Sequence, residues 1–214
     1  MVKLIYIADP MCSWCYGFGP QLHTLLDGLK NVPLDIVLGG LRPYTTEVMD
    51  IEKKSEIRSH WQRVAELSGR PFVDTALAKE DFVYNTEPAC RAVASARLLA
   101  PHAALAVFDA IQHGFYAEGL DTTQADVLVP IATSVLKQAG MDIDEAAFLQ
   151  TWSSEEAVKA THTDFLQTQR WGVRGFPTLV LEQAGELHLV SSGFTRTEQL
   201  VAQLQALVDQ AVDR

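Results

Sequence analysis

The chain has 214 residues, enough to bury a sizeable core in one large or two small domains. Its 48% hydrophobic and 21% charged content is that of an ordinary soluble globular protein, and 27 acidic against 17 basic residues leave a formal charge of −10. No Lys/Arg-rich run offsets that charge, so nucleic acid and anionic membrane surfaces are not expected partners, and no apolar run reaches the roughly 18 residues of a membrane span.

Val2 to Ala8 is a seven-residue apolar run broken only by Lys3, as expected for a strand buried on both faces. It leads directly into Asp9-Pro10-Met11-Cys12, with no small-residue cleavage site before the cysteine, so the chain reads as cytoplasmic rather than exported. Cys12-Ser13-Trp14-Cys15 opens a helical stripe of Leu22, Leu25, Leu26 and Leu29, in which Pro20 predicts a kink. Leu34 to Leu38 is the second strand, ended by Gly39-Gly40, which completes a right-handed βαβ unit.

From Thr46 to Arg170 the pattern is helical: Ile57–Leu67, Pro88–Ala100, a face of Leu105, Phe108, Ile111 and Phe115, then Val127–Ala139 and Glu155–Trp171. Thr178–Glu182 and Glu186–Val190 then read as strands around a three-residue loop, Gln183-Ala184-Gly185. Thr195-Arg196-Thr197-Glu198 reads as a capping box with Thr195 as N-cap. It opens a last helix with Leu200, Leu204, Leu207, Val208 and Ala211 on one face. The order βαβ, helices, ββα defines an α/β chain: a thioredoxin fold with a mixed sheet and an all-helical domain inserted between its halves. The expected boundaries are residues 1–45 and 161–214 for the thioredoxin-like domain and 46–160 for the insertion.

A C-x-x-C pair at a strand-to-helix junction reads as a redox couple. Two intervening residues on a first helical turn bring the sulfurs within disulfide reach, and the unpaired amides of that turn favour a thiolate on the first. Cys12 is then the exposed nucleophile and Cys15 the buried resolving thiol, with Ser13 and Trp14 tuning the pair. A structural zinc site would need about four ligands, yet only Cys90 remains and the six histidines show no ligand spacing, so no metal is expected. Cys90, beside Ala89, Ala92 and Val93, reads as a small buried apolar residue. Pro177 stands at the start of a strand, a position open to any strand-edge proline.

Three segments together resemble the cytosolic branch of the DsbA-like thiol-disulfide oxidoreductases, including the FrnE-like, protein-disulfide-isomerase type. They are Asp9-Pro10-Met11-Cys12-Ser13-Trp14-Cys15-Tyr16-Gly17, Asn85-Thr86-Glu87-Pro88-Ala89-Cys90-Arg91 and Gly172-Val173-Arg174-Gly175-Phe176-Pro177-Thr178. Hydroxychromene-carboxylate isomerases and kappa-class glutathione transferases are relatives of that branch. The resemblance implies catalytic Cys12 and Cys15 and a cis-Pro177 packed against the pair; Phe18 and Phe176, near Trp14 and Pro177 in the expected cleft, are read with Pro177 as substrate contacts. It implies a disulfide- or thiol-containing protein or small molecule as substrate, no cofactor beyond the cysteine pair, and glutathione as an available co-substrate; an oligomer is compatible with it. Two other classes would use the same cleft: a glutathione-dependent isomerase or transferase acting on a small aromatic compound, and a non-catalytic binding module or chaperone. The glutathione-dependent relatives generally carry a single serine where this chain keeps two cysteines, and an Asp-Arg pair where it has Thr195-Arg196, which favours dithiol chemistry.

Overall fold

The computed structural model describes the backbone of residues 2–29 and 32–212, and the side chains among them as far as residue 207. Among the described residues four strands form one mixed sheet in the order β2-β1-β3-β4, with β1 Val2–Ala8, β2 Leu34–Leu38, β3 Thr178–Gln183 and β4 Glu186–Ser192. β1 runs parallel to β2, with Leu4 opposite Leu34, and antiparallel to β3, with Ile5 opposite Val180. The β3–β4 hairpin closes through two residues, Ala184 and Gly185, both at positive φ (53° and 86°), so Gln183 belongs to the strand and the expected three-residue loop is one shorter. Such primed turns match the twist of the paired strands.

Alternation along β1 divides the core. Leu4, Tyr6 and Ala8 face α1 (Ser13–Gly28) and α9 (Thr197–Val212) with Leu22, Leu25, Leu200 and Leu204, whereas Ile5 and Ile7 join Val180 on the opposite face. Each fully buried leucine in the first group contributes about 1.5–3 kcal/mol of burial. Leu207 packs against the same core, and the side chains of Val208 and Ala211 lie outside the described residues.

Between β2 and β3 the chain is helical: α2 Ile51–Ser68, α3 Thr75–Ala78, α4 Glu87–Leu99, α5 Ala104–Tyr116, α6 Ala125–Gln138, α7 Glu145–Trp152 and α8 Glu155–Arg170. α2 starts six residues before the expected Ile57 because Asp50 caps it, its side chain accepting from Lys53 N at 2.8 Å. α8 is one unbroken helix packed on both α4 and β2, so the boundary expected at 160/161 falls inside it. Its buried face (Ala157, Thr161, Asp164, Phe165 and Thr168) is continuous across that point. α9 opens at Thr197, later than a Thr195 cap implies, and its first turn is met from α1 instead: Thr197 N donates to Gln21 Oε1 at 2.8 Å.

α1 continues through Pro20 as one element. The missing proline N–H leaves the Tyr16 carbonyl without its helical donor, and Arg70 Nη1 takes that place at 3.1 Å while its guanidinium lies 3.7 Å over the Tyr16 ring. Tyr16 also stacks on Tyr116 at 4.9 Å, within an aromatic cluster with Trp61 and Phe72. The residue after Cys15 thus ties the sheet's first helix to the helical segment.

Candidate functional site

Asp9 to Met11 turn the chain from β1 into α1, and Cys12 sits at the N-cap with extended backbone (φ −94°, ψ 116°). No side-chain cap bonds to this helix end and no acidic residue lies in its first turn. Cys12, Cys15 and Cys90 are all free thiols. Cys12 is 5% exposed and Cys15 completely buried. The first cysteine is therefore not the openly exposed residue expected from its place on the helix; it is the more accessible of two covered thiols.

The cover is long-range. A cavity of about 300 Å³ opens beside Cys12, Ser13 and Trp14 and is walled by Leu41 and Arg42 from the loop after β2, by His60 and Trp61 from α2, and by Tyr84 and Phe176. Trp14 leans on Phe194 with ring centroids 6.3 Å apart. Across the opening the Phe176–Pro177 peptide is cis, and Cys12 Sγ donates toward Phe176 O at 3.7 Å. The Phe176 ring is received by Gly39, where a Cβ would stand 2.2 Å from the ring's Cζ. Only glycine admits that approach.

Beneath the turn lies Asp9, fully buried, with Oδ1 accepting from Met11 N at 2.8 Å and Oδ2 from Leu41 N at 2.7 Å and Cys90 Sγ at 3.4 Å. One carboxylate therefore fixes the cysteine turn, the cavity wall and the third thiol together. Burial raises its pKa above the ordinary carboxylate value, against the lowering effect of these donors. Tyr84 Oη donates to Met11 O at 2.7 Å and completes the support. The Asn85-Thr86 segment clamps the wall itself: Arg42 N donates to Thr86 Oγ1 at 3.1 Å, and Tyr44 N to Asn85 Oδ1 at 2.9 Å.

Burial pushes the Cys15 thiol well above the ordinary range, and its hydrogen bond and charge interaction with Cys12 push the same way. Cys90 is raised by burial first and the Asp9 charge second. Of the residues expected at the site, Cys12, Ser13, Trp14 and Phe176 meet at the cavity and Pro177 follows directly. Phe18 does not. It is fully buried with its ring 6.0 Å from Tyr6, because a position three after Cys15 falls on the helix stripe that faces the sheet. Asp9, Arg42, Trp61 and Tyr84 had no assigned role in the sequence, and only Asp9, three residues before Cys12, had a local signal. Among the described residues no group of three or more His, Cys, Asp or Glu could hold a metal, and no helix is long and apolar enough to cross a membrane.

The family model of a DSBA-like thioredoxin domain matches residues 4–205. A candidate protein disulfide isomerase from Nitrosomonas europaea superposes with a TM-score of 0.88 at 36% identity, covering 98% of each chain. The cytosolic disulfide reductase DsbM from Pseudomonas aeruginosa does so at 0.78 and 25% identity over 97% of this chain and 99% of its own. The same reductase solved with glutathione gives 0.76 at 23% identity, over 97% of this chain and 99% of its own. No match was found among curated protein sequences.

Proposed function

The chain belongs to the DSBA-like thioredoxin-domain family of thiol–disulfide enzymes, and from that premise we propose that Cys12 and Cys15 are its redox couple and that it acts as a reductase or isomerase of disulfides. The observation that carries this reading is the pairing of an N-cap thiol with a carbonyl: Cys12 Sγ lies at an uncapped helix end, 3.7 Å from Phe176 O, on a cavity wide enough for a peptide side chain.

Cys12 attacks as the thiolate, forming a bond to one sulfur of the substrate disulfide and expelling the other as thiolate. The uncapped amides of the first turn of α1 are available to the anionic sulfur before attack. Cys15, deprotonated, then attacks the Cys12 sulfur, closes the Cys12–Cys15 disulfide and releases the second substrate thiol. Two electrons and two protons pass to the substrate in all. A dithiol or two molecules of a monothiol such as glutathione return the couple to its reduced form, and the glutathione bound to DsbM supports this choice of co-substrate. Ser13 and Trp14 border the attacked sulfur, and Phe176 presents its backbone beside it. The segment of residues 46–160, read as an insertion, supplies the far wall through His60 and Trp61 of α2 and Tyr84 of the loop before α4.

A cytoplasmic setting is supported by the cytosolic description of DsbM. In a compartment poised below about −200 mV a thioredoxin- or isomerase-like couple reduces or reshuffles disulfides rather than installing them. Equilibration of the Cys12/Cys15 couple against graded reduced and oxidised glutathione tests this. A potential between about −180 and −270 mV fits the reading, whereas one near −120 mV makes the protein an oxidant and overturns it.

A further inference from the structure

β1 carries one polar side chain to the underside of the cysteine pair. Tyr6 stands six positions before Cys12, on the strand face that it shares with Leu4 and Ala8, and is 1% exposed. Its ring is held from two sides, tilted on Phe18 at 6.0 Å and edge-on to Phe108 at 5.8 Å. Phe18 lies one turn after Cys15 on the buried stripe of α1, so these contacts keep the phenol beneath the first turns of that helix. The hydroxyl is stranded there: it is fully buried and meets no properly directed hydrogen-bond partner among the described residues. A phenylalanine would fill the same space without a buried, unpaired hydroxyl, which native interiors rarely keep.

Three titratable groups face that hydroxyl: Cys15 and Cys12 from α1 and Asp109 from α5. Asp109 is already engaged, 2.7 Å from His23 Nε2. The Cys15 sulfur is the group within hydrogen-bonding reach of the phenol once it carries charge. Burial first, and then the nearness of the Cys15 and Cys12 sulfurs, hold the Tyr6 hydroxyl well above its ordinary 10.0, so it is a donor and never a base. Cys15 has use for a donor at one moment only. It is a neutral thiol in the reduced protein, because burial pushes it upward, and a neutral disulfide sulfur in the oxidised one. Between the two it has to attack as a thiolate in a fully buried site.

Resting on the redox reading above, we infer that Tyr6 serves the second half of the reaction: its hydroxyl donates to the Cys15 sulfur while that sulfur is a thiolate, and so speeds the resolution of substrate mixed disulfides. Cys15 gives up its proton, its thiolate forms a bond to Cys12 Sγ, the bond from Cys12 to the substrate sulfur breaks, and the departing sulfur takes up a proton as a thiol. Tyr6 keeps its own proton throughout. A donor that is unpaired in both resting states and paired in the reacting one lowers the barrier instead of stabilising the ground state. A hydrogen bond to a charged group shifts an equilibrium by about ten- to hundredfold. About half of that, on a logarithmic scale, survives in a transition state whose charge is shared between attacking and leaving sulfurs. Resolution should therefore gain about three- to tenfold from Tyr6, and the first attack by Cys12 nothing.

Rapid mixing of the reduced protein with oxidised glutathione, acid quenching and intact mass separate the two steps, as the rise of the Cys12 adduct and its conversion to the Cys12–Cys15 disulfide. Tyr6→Phe should convert its adduct about three- to tenfold more slowly than wild type, form it at a rate within twofold, and melt at or above the wild-type temperature, since the stranded hydroxyl is gone. Tyr6→fluorotyrosine, with a stronger donor in the same place, should resolve faster than wild type, a change of opposite sign that a packing role would not produce. Adduct conversion at the wild-type rate in Tyr6→Phe, equal slowing of both steps, a clearly lower melting temperature, or a fluorotyrosine variant no faster than wild type each overturns the inference. The redox reading is judged separately. Adducts that form on Cys12 and resolve at one rate with or without the hydroxyl remove Tyr6 and leave the couple, whereas a wild-type protein that forms neither adduct nor disulfide removes both.

Discussion

Gly39→Ala is the smallest change that reaches the site from outside it. A methyl at this position would stand 2.2, 2.3 and 2.8 Å from three atoms of the Phe176 ring, against about 3.4 Å for ordinary contact, so the ring must retreat by about 1.2 Å. It has little room to do so, because its other side packs on Ile5, Ile7 and Val180. Overpacking of this kind costs about 1–3 kcal/mol, which for a chain of this size lowers Tm by about 2–12 °C. The same displacement drags the Phe176 carbonyl from its 3.7 Å contact with Cys12 Sγ, and a 1 Å misplacement at a reacting centre costs up to about 10²-fold. Thermal melts and single-turnover reduction of oxidised glutathione by the reduced enzyme measure the two effects. Phe176→Leu in the Gly39→Ala background should recover much of the lost stability, since the pair is in contact and non-additive. A Gly39→Ala protein with wild-type Tm and rate, or a double variant whose losses simply add, would refute the placement of Phe176.

Asp9→Ala should destabilise the protein by about 1–3 kcal/mol for the buried Met11 N–H it orphans, and by less for the part-buried N–H of Leu41, as read by urea unfolding. Because burial raises the Asp9 carboxyl above its ordinary 3.8, its contribution is complete below that pH and is lost as pH rises through the raised value. The gap between wild type and Asp9→Ala should accordingly narrow from pH 4 to pH 7, and a gap that widens contradicts this. Cys15 and Cys90 are fully buried with their thiols pushed upward, so iodoacetamide at pH 7 should modify Cys12 first and Cys90 only on the timescale of opening. Rapid native labelling of Cys90, or a Cys12–Cys90 disulfide, would show that the third thiol is not held in the core.

What the sequence discloses of this site is what lies close together along the chain. Cys12 and Cys15 are three residues apart at a strand-to-helix junction, and Pro177 marks the start of a strand, so both are readable from local rules. Asp9 carries a local signal, but its partners Leu41 and Cys90 are 32 and 81 positions away, and Tyr84 reaches Met11 across 73. No periodicity encodes such pairings. Phe18 illustrates a different limit: nearness to the cysteines suggested a substrate contact, while the helical period from Cys15 through Phe18, Leu22 and Leu25 places it in the core. The short helices α3 and α7 were illegible because four and eight residues are too few to display an apolar stripe. The hairpin and the last helix were found in place, and their ends moved because Ala184 accepts positive φ and Gln21 supplies the contact expected of Thr195.

The division of labour between Cys12 and Cys15 is the centre of this account, and trapping reads it directly. Cys15→Ser protein, incubated with oxidised glutathione and analysed by intact mass and peptide mapping, should accumulate one glutathione adduct on Cys12 that dithiothreitol removes, because the resolving thiol is gone. Cys12→Ser should form no adduct and reduce no disulfide. Adducts trapped through Cys15, or disulfide reduction by Cys12→Ser at the wild-type rate, would contradict the assignment.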